Sequence, residues 1–219
     1  MKSIAAASLL LVIMAAAASA QSYTEQPAPK LPYLDWNACP FEGCTYGKWT
    51  AAAQVTVFDT WKPGRKRIAI LSPKEVVTGI SGVVITYKPG VIVLTQDLPG
   101  DDLRKGDRIL TYTYRGEGVS AVWFKGRFYL DYDTTFAKGL DGTGCMRNCK
   151  GAYIDSGKSV WWAKVRIKSG VVGWVNMNEA KFDGVDSLAV VMPARLRRSR
   201  GKGASAFFPR DNIVLDLQP

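Results

Sequence analysis

Apolar and polar residues alternate along much of the chain with a period of two, the spacing of a β-strand that has one buried face. Between residues 48 and 174 these runs are short, rich in β-branched and aromatic residues, and separated by glycine and proline. This region carries no amphipathic helical period of persuasive length. The chain is therefore predicted to be all-β.

Several candidate strands flank tight turns. Residues 79–87 and 91–95 surround a Lys-Pro-Gly turn, which predicts a hairpin of β-branched strands. A second hairpin is predicted within residues 119–129, across Lys125 and Gly126. Residues 107–114 are expected to form a strand before it.

The most regular alternation lies in residues 159–176, SVWWAKVRIKSGVVGWVN. One face of this strand is apolar, and the other carries three cations beside a single tryptophan. The apolar positions are Trp161, Ala163, Val165 and Ile167, and they alternate with Trp162, Lys164, Arg166 and Lys168. We therefore expect Trp161 to be buried and Trp162 to be exposed with Lys164 and Arg166. An exposed Trp162 could stack on a sugar ring or a proline.

This hairpin resembles the last hairpin of bacterial SH3-like domains, through Trp162-Ala163-Lys164-Val165-Arg166 and Gly173-Trp174-Val175. Residues 51–129 resemble a second, more divergent unit of the same kind, and CPFEGC resembles the lead-in of exported bacterial proteins with such domains. The likeness covers about half of the chain and stops before residues 195–219. It implies small barrels that bind peptides or wall polymers, often beside a separate catalytic domain.

The pattern and the resemblance together predict five segments. Residues 1–20 are expected to be a cleaved signal peptide, because one lysine precedes a short apolar run and an Ala-Ser-Ala site. After cleavage we expect no transmembrane segment and a periplasmic or secreted protein. The remaining predictions are a proline-rich leader with the first cysteine pair at 21–47, a divergent SH3-like barrel at 48–130, a second SH3-like unit with the second cysteine pair at 131–192, and a basic tail at 193–219.

The net charge of +10 is concentrated in the tail and in residues 62–67, so the remaining chain is close to neutral. This localisation argues against a nucleic-acid-binding body. The candidate anion-binding residues are Arg195, Arg197, Arg198, Arg200 and Lys202. Teichoic acid, lipopolysaccharide phosphate or anionic lipid suits them better than nucleic acid, and a solvated tail is the alternative.

The four cysteines form two close pairs, Cys39 with Cys44 and Cys145 with Cys149. In an exported chain such pairs favour disulfides, and four cysteines allow three connectivities. We favour the two local bridges, since each spans a turn containing glycine or asparagine. A bridge between the pairs and a four-cysteine zinc site are the alternatives, although the spacings miss the usual CxxC knuckle.

The sequence contains no histidine. This absence excludes Cys-His and Ser-His-Asp hydrolases and His-ligated zinc peptidases. Catalysis by serine with lysine, or by paired carboxylates, remains an alternative. Two carboxylate pairs, Asp101 with Asp102 and Asp131 with Asp133, lie among turn residues and are interpreted as solvated or capping groups. We therefore predict no catalytic residue, no cofactor and no metal.

These observations predict an exported, non-catalytic binding or scaffolding module of the bacterial cell envelope. Its aromatic groove would recognise a peptide, peptidoglycan or an envelope protein, and anionic-polymer or nucleic-acid binding by the tail is the alternative. The candidate ligand-binding residues are Trp162, Lys164, Arg166, Trp174, Trp123, Tyr112 and Tyr114, with Trp61 and Tyr129 in the same aromatic set. For each aromatic residue, core packing is the competing interpretation.

Overall fold

The computed structural model describes residues 25–188, so the predicted signal peptide and basic tail lie outside the described residues. The described chain forms fourteen strands and one short 3-10 helix at Pro99–Asp101, which confirms the all-β prediction. The strands are β1 (Tyr33–Trp36), β2 (Lys48–Ala51), β3 (Val55–Phe58), β4 (Arg67–Leu71), β5 (Val76–Lys88), β6 (Gly90–Leu94), β7 (Arg108–Gly116), β8 (Val119–Phe124), β9 (Arg127–Asp133), β10 (Ala137–Lys138), β11 (Gly151–Asp155), β12 (Lys158–Arg166), β13 (Val172–Asn176) and β14 (Phe182–Asp183).

The strands form two curled sheets of the kind found in small β-barrel domains. The larger has eight strands in the order β14-β2-β5-β12-β13-β3-β4, with β1 also paired to β5. The smaller has six strands in the order β10-β11-β6-β7-β8-β9. Strand β5 is the organising element of the larger sheet, because β1, β2 and β12 all pair with it.

Strand pairing groups the chain differently from the predicted segments 48–130 and 131–192. The larger sheet combines β1 to β5 with β12 to β14, and the smaller sheet is formed by the chain between them. The hairpin of β12 and β13 therefore shares a sheet with residues 48–88, and the predicted boundary falls inside β9. The reason is that alternation identifies a strand and its faces, but it does not identify a sequence-distant partner.

The larger sheet has one buried core on the face that carries Trp161. Trp161 is 3% exposed, which confirms its predicted burial. The core also includes Trp49, Val57, Val165 and Val175. The smaller sheet encloses a separate core built from Ile92, Leu94, Leu103, Ile109, Val122, Phe124 and Ala137.

The opposite face of the larger sheet is also covered, and this corrects the prediction for Trp162. Trp162 pairs with Val83 on β5 and is only 4% exposed. Val83, Ile85 and Trp162 form a third apolar cluster, against which Leu34, Phe58, Trp61, Val160 and Trp174 pack. Alternation does place Trp161 and Trp162 on opposite faces, but residues from distant parts of the chain bury both.

The described part of the predicted leader is an ordered element of the fold. Strand β1 pairs with β5, from Tyr33 opposite Thr86 to Trp36 opposite Val83. The Tyr33 ring also lies 5.2 Å from that of Tyr112 in the smaller sheet. The N-terminal segment thus contacts both sheets.

A partly buried ion pair reinforces this junction. Asp35 in β1 is 6% exposed, and Nη1 of Arg115 in β7 donates to its two carboxylate oxygens at 2.8 and 3.0 Å. Arg115 Nε also lies 3.0 Å from the exposed Asp131 carboxylate. Because Asp35 is desolvated, its charge depends on Arg115 for compensation.

Both disulfides are local, which confirms the favoured connectivity. Cys39 pairs with Cys44, and Cys145 pairs with Cys149. The first pair packs against the core of the larger sheet. Disulfides are typical of oxidising compartments, so the chain belongs outside the cytoplasm.

The two adjacent tryptophans should have similar effects on stability. Trp161→Ala and Trp162→Ala should each lower the free energy of unfolding by about 3–5 kcal/mol, because each removes a buried ring and leaves a cavity. Urea unfolding measures both losses. A loss of less than about 1 kcal/mol for Trp162→Ala would contradict the burial of its face.

The ion pair between the sheets should matter more than an exposed one. Arg115→Gln should lower the free energy of unfolding by about 3 kcal/mol, since it leaves the Asp35 carboxylate buried without a counter-charge. Arg104→Gln is the matched control: Arg104 pairs with Asp97 and Asp102 at the surface, and its loss should cost less than about 1 kcal/mol. If the two variants lost equal free energy of unfolding, the ion pair of Arg115 with Asp35 would not contribute more to stability than a surface pair does.

The cysteines should be fully oxidised in protein prepared from an oxidising compartment. Thiol titration of denatured, unreduced material should detect no free thiol, because all four cysteines are paired. Peptide mapping should then recover the two local bridges. Detection of two or more thiols, or of a bridge between the pairs, would contradict this pairing.

Candidate functional site

Five aromatic side chains meet on the face of the larger sheet opposite Trp161, and we name this set the tryptophan surface: Trp36, Phe58, Trp61, Trp162 and Trp174. The Trp36 ring centroid lies 6.0 Å from that of Trp61 and 6.4 Å from that of Trp174, with the planes steeply tilted. The ring centroids of Phe58 and Trp162 lie 5.9 Å apart. Trp36 is 52% exposed, so the surface is open to solvent.

Strand register explains why these rings meet. Val83 of β5 pairs with Trp36 on one side and with Trp162 on the other. Trp174 of β13 pairs with Lys164 of β12 and with Phe58 of β3. Paired residues point to the same face of a sheet, so four strands present these side chains together. Trp61 joins them from the connection between β3 and β4.

Three cations cover rings of the tryptophan surface. Lys62 Nζ lies 5.8 Å from the Trp61 ring centroid, and Lys164 Nζ lies 6.0 Å from that of Trp174. The Arg65 guanidinium lies 4.8 Å from the Trp162 ring and 5.0 Å from the Phe58 ring. These are cation–π distances, so each positive charge is held by an aromatic face.

None of these cations takes part in the ion pairs found within residues 25–188. The nearest acid in sequence, Asp59, accepts a hydrogen bond from the Lys66 backbone N–H at 2.8 Å. The site therefore combines exposed apolar area with three cations that form no ion pair with a carboxylate of residues 25–188. This combination can bind an anionic group beside an apolar one.

The structure brings together three of the predicted ligand-binding residues. Trp162, Lys164 and Trp174 share the tryptophan surface, although Trp162 supports it from below rather than facing solvent. Trp61, also expected from the sequence, belongs to it as well. Arg166 is exposed at the end of β12, opposite Val172.

The other predicted binding residues belong to the smaller sheet. Tyr112 is buried against Tyr33 and Phe128, and burial raises the pKa of its phenol. Trp123 is half-buried, and its indole N–H donates to the Gln26 carbonyl at 3.2 Å. Both residues therefore help to hold the N-terminal segment on this sheet.

Tyr114 and Tyr129 also have structural contacts. The Tyr114 hydroxyl donates to Glu42 at 3.1 Å, and burial is the main cause of its raised pKa. Tyr129 stacks on Phe124, with ring centroids 4.7 Å apart, beside the smaller core. Tyr129 thus packs in the way that the core-packing interpretation expects, whereas Tyr114 is 36% exposed.

The two carboxylate pairs occupy structural roles. Asp101 accepts a hydrogen bond from Tyr132 at 2.8 Å, and Asp102 lies 3.4 Å from both Arg104 and Lys125. Asp131 pairs with Arg115, whereas Asp133 accepts from the Thr135 N–H at 2.8 Å. Within the described chain, no group of three or more cysteine or acidic residues is placed to hold a metal ion.

Sequence reasoning missed Trp36 and Arg65. Trp36 lies in a proline-rich stretch without a clear period, so the sequence predicts it to be part of the leader at 21–47. The only sequence feature that indicates a strand here is the concentration of apolar residues in Tyr-Leu-Asp-Trp at 33–36. The sequence indicates Arg65 only as part of the positive charge of residues 62–67, because its contact with Trp162 requires the folded sheet.

The predicted anion-binding residues Arg195, Arg197, Arg198, Arg200 and Lys202 lie outside the described residues. Between residues 25 and 188 there is no helix with the length and apolar character needed to cross a membrane. Comparison of the chain with protein-family models, with curated proteins and with solved structures gave no match.

Proposed function

We propose that this protein is an exported, non-catalytic binding or scaffolding module of the bacterial cell envelope. It recognises a peptide, peptidoglycan or a partner protein through the tryptophan surface. The observation that carries the proposal is the half-exposed Trp36 ring beside Trp61 and Trp174, surrounded by three cations that belong to none of the ion pairs in the described part of the chain.

Exposed clusters of this composition favour binding. A single exposed apolar side chain is ordinary, but a contiguous aromatic patch rimmed by polar groups is typical of interaction sites. Tryptophan and arginine are also the residues that contribute most often to binding hot spots. Trp36 offers a large apolar contact, and Arg65 adds a planar set of donors.

The scaffold suits recognition because it fixes these side chains before a ligand arrives. Trp36, Trp162 and Trp174 lie on paired strands, and Phe58 packs against Trp162. Side chains that are already ordered lose little conformational entropy on binding. The surface is therefore preorganised for a ligand.

Export is supported by the N-terminal signal-like sequence and by the two disulfides. We expect the mature protein in the periplasm or secreted. Its partner there is an envelope protein or peptidoglycan, and the absence of histidine supports a role without catalysis.

Trp36→Ala should weaken ligand capture while preserving the fold. The wild-type chain and this variant would be immobilised and exposed separately to purified peptidoglycan and to envelope extract. Retention of the ligand should fall at least tenfold, about 1.4 kcal/mol, because the main exposed ring is lost. Stability should change by about 1 kcal/mol or less.

Leu130→Ala provides the control, since Leu130 in β9 is 52% exposed like Trp36 but belongs to the smaller sheet. It should retain wild-type capture. Capture by Trp36→Ala at the wild-type level from both materials would contradict the proposed function. The peptidoglycan arm separates wall binding from protein partnership.

A further inference from the structure

We propose that the tryptophan surface selects extended acidic peptide segments. Carboxylates of the peptide would engage Lys62, Arg65 and Lys164, and an apolar side chain of the same segment would pack against Trp36. This inference rests on the proposed function and adds the chemical class of its ligand.

The arrangement of charge is the first argument. Arg65 lies against Trp162 and Phe58, and it takes part in none of the ion pairs within residues 25–188. A guanidinium that rests on ring faces keeps N–H groups at its edge, where a carboxylate can accept two parallel hydrogen bonds. Arg115 shows this chemistry within the same protein, since it donates to both oxygens of Asp35.

Local charge around the surface favours an anionic ligand. Residues 62–67, KPGRKR, hold four cations and no acid, and Lys164 adds a further positive charge from β12. The rest of the chain before the tail is close to neutral, so the positive potential is local rather than general. Such a patch attracts and orients an acidic segment more than it attracts a neutral one.

The spacing of the rings fits an extended peptide. Trp36 lies 6.0 Å from Trp61 and 6.4 Å from Trp174. Side chains on one face of an extended chain recur every second residue, roughly 6.6 Å apart. A peptide in this conformation therefore presents successive same-face side chains at intervals close to the ring spacing.

The cation positions argue against a neutral glycan. Stacking of a sugar needs an open indole face, but Lys62 lies over Trp61, Lys164 over Trp174 and Arg65 over Trp162. A neutral sugar stacked on the covered face of Trp61 or Trp174 would have to displace Lys62 or Lys164, and one stacked on Trp36 would leave the three cations without a partner. An acidic peptide uses the cations where they are.

The test uses a fluorescein-labelled decapeptide in which every second residue is alternately Glu or Leu and the residues between them are Ser, so that one face of the extended peptide carries both acidic and apolar side chains. Its isostere has Gln in place of every Glu. Fluorescence anisotropy with the full mature chain measures both dissociation constants at low and high salt. The acidic peptide should bind at least tenfold more tightly than its isostere at low salt. Salt should reduce this preference.

Arg65→Gln should weaken binding of the acidic peptide about tenfold and leave binding of the isostere unchanged. Lys62→Gln and Lys164→Gln should act in the same direction, which keeps the test valid if Arg65→Gln perturbs packing on Trp162. The matched control is Lys105→Gln, an exposed lysine between β6 and β7 that belongs to none of the ion pairs of the described chain. It should leave both affinities unchanged.

A second control addresses the tail, where Arg197→Gln combined with Arg198→Gln should not reduce the preference. The inference is overturned if the two peptides bind equally, if only the tail variant weakens binding, or if polyphosphate or neutral chitin oligomers bind this surface more tightly. Should a neutral ligand bind in a Trp36-dependent way, the proposed function would stand and this inference would fail. If Trp36→Ala binds every probe as tightly as the wild-type chain does, both the proposed function and this inference would be overturned.

Discussion

The pairing of β12 with β5 is the constraint on which the rest of the structure depends. It runs from Lys158 opposite Lys88 to Arg166 opposite Thr78 and joins parts of the chain separated by the whole smaller sheet. It also places Trp161 and Trp162 on the two faces of one sheet. Because each face is covered by other strands and loops, the larger sheet gains two apolar layers instead of one.

The second apolar layer explains how the tryptophan surface can be both rigid and exposed. Trp162 lies at its base, almost fully buried, and supports Arg65 and Phe58 above it. Trp36 lies at its edge, where β1 ends and solvent begins. The same cluster therefore contributes stability through its buried part and leaves an aromatic surface open to solvent.

Arg115 and Arg65 show that the same residue type has two different environments in this fold. Arg115 is held by the carboxylates of Asp35 and Asp131, so its charge is compensated and it joins the sheets. Arg65 is held by aromatic faces, so its position is fixed while its charge remains available. The structural junction thus contains a cation compensated by carboxylates, whereas the cations of the tryptophan surface rest on aromatic rings and take part in none of the ion pairs within residues 25–188.

The sequence by itself predicted the all-β class, the local disulfides, the burial of Trp161 and part of the candidate site, through Trp61, Trp162, Lys164 and Trp174. These features follow from side-chain period, short loop spacing and composition, which act over a few residues. Only the tertiary structure decided that Trp162 is buried, that Trp36 and Arg65 complete the surface, and that Tyr112 and Trp123 serve the smaller sheet. Each of these depends on which distant strand or loop covers a given face, and a local pattern carries no information about that partner.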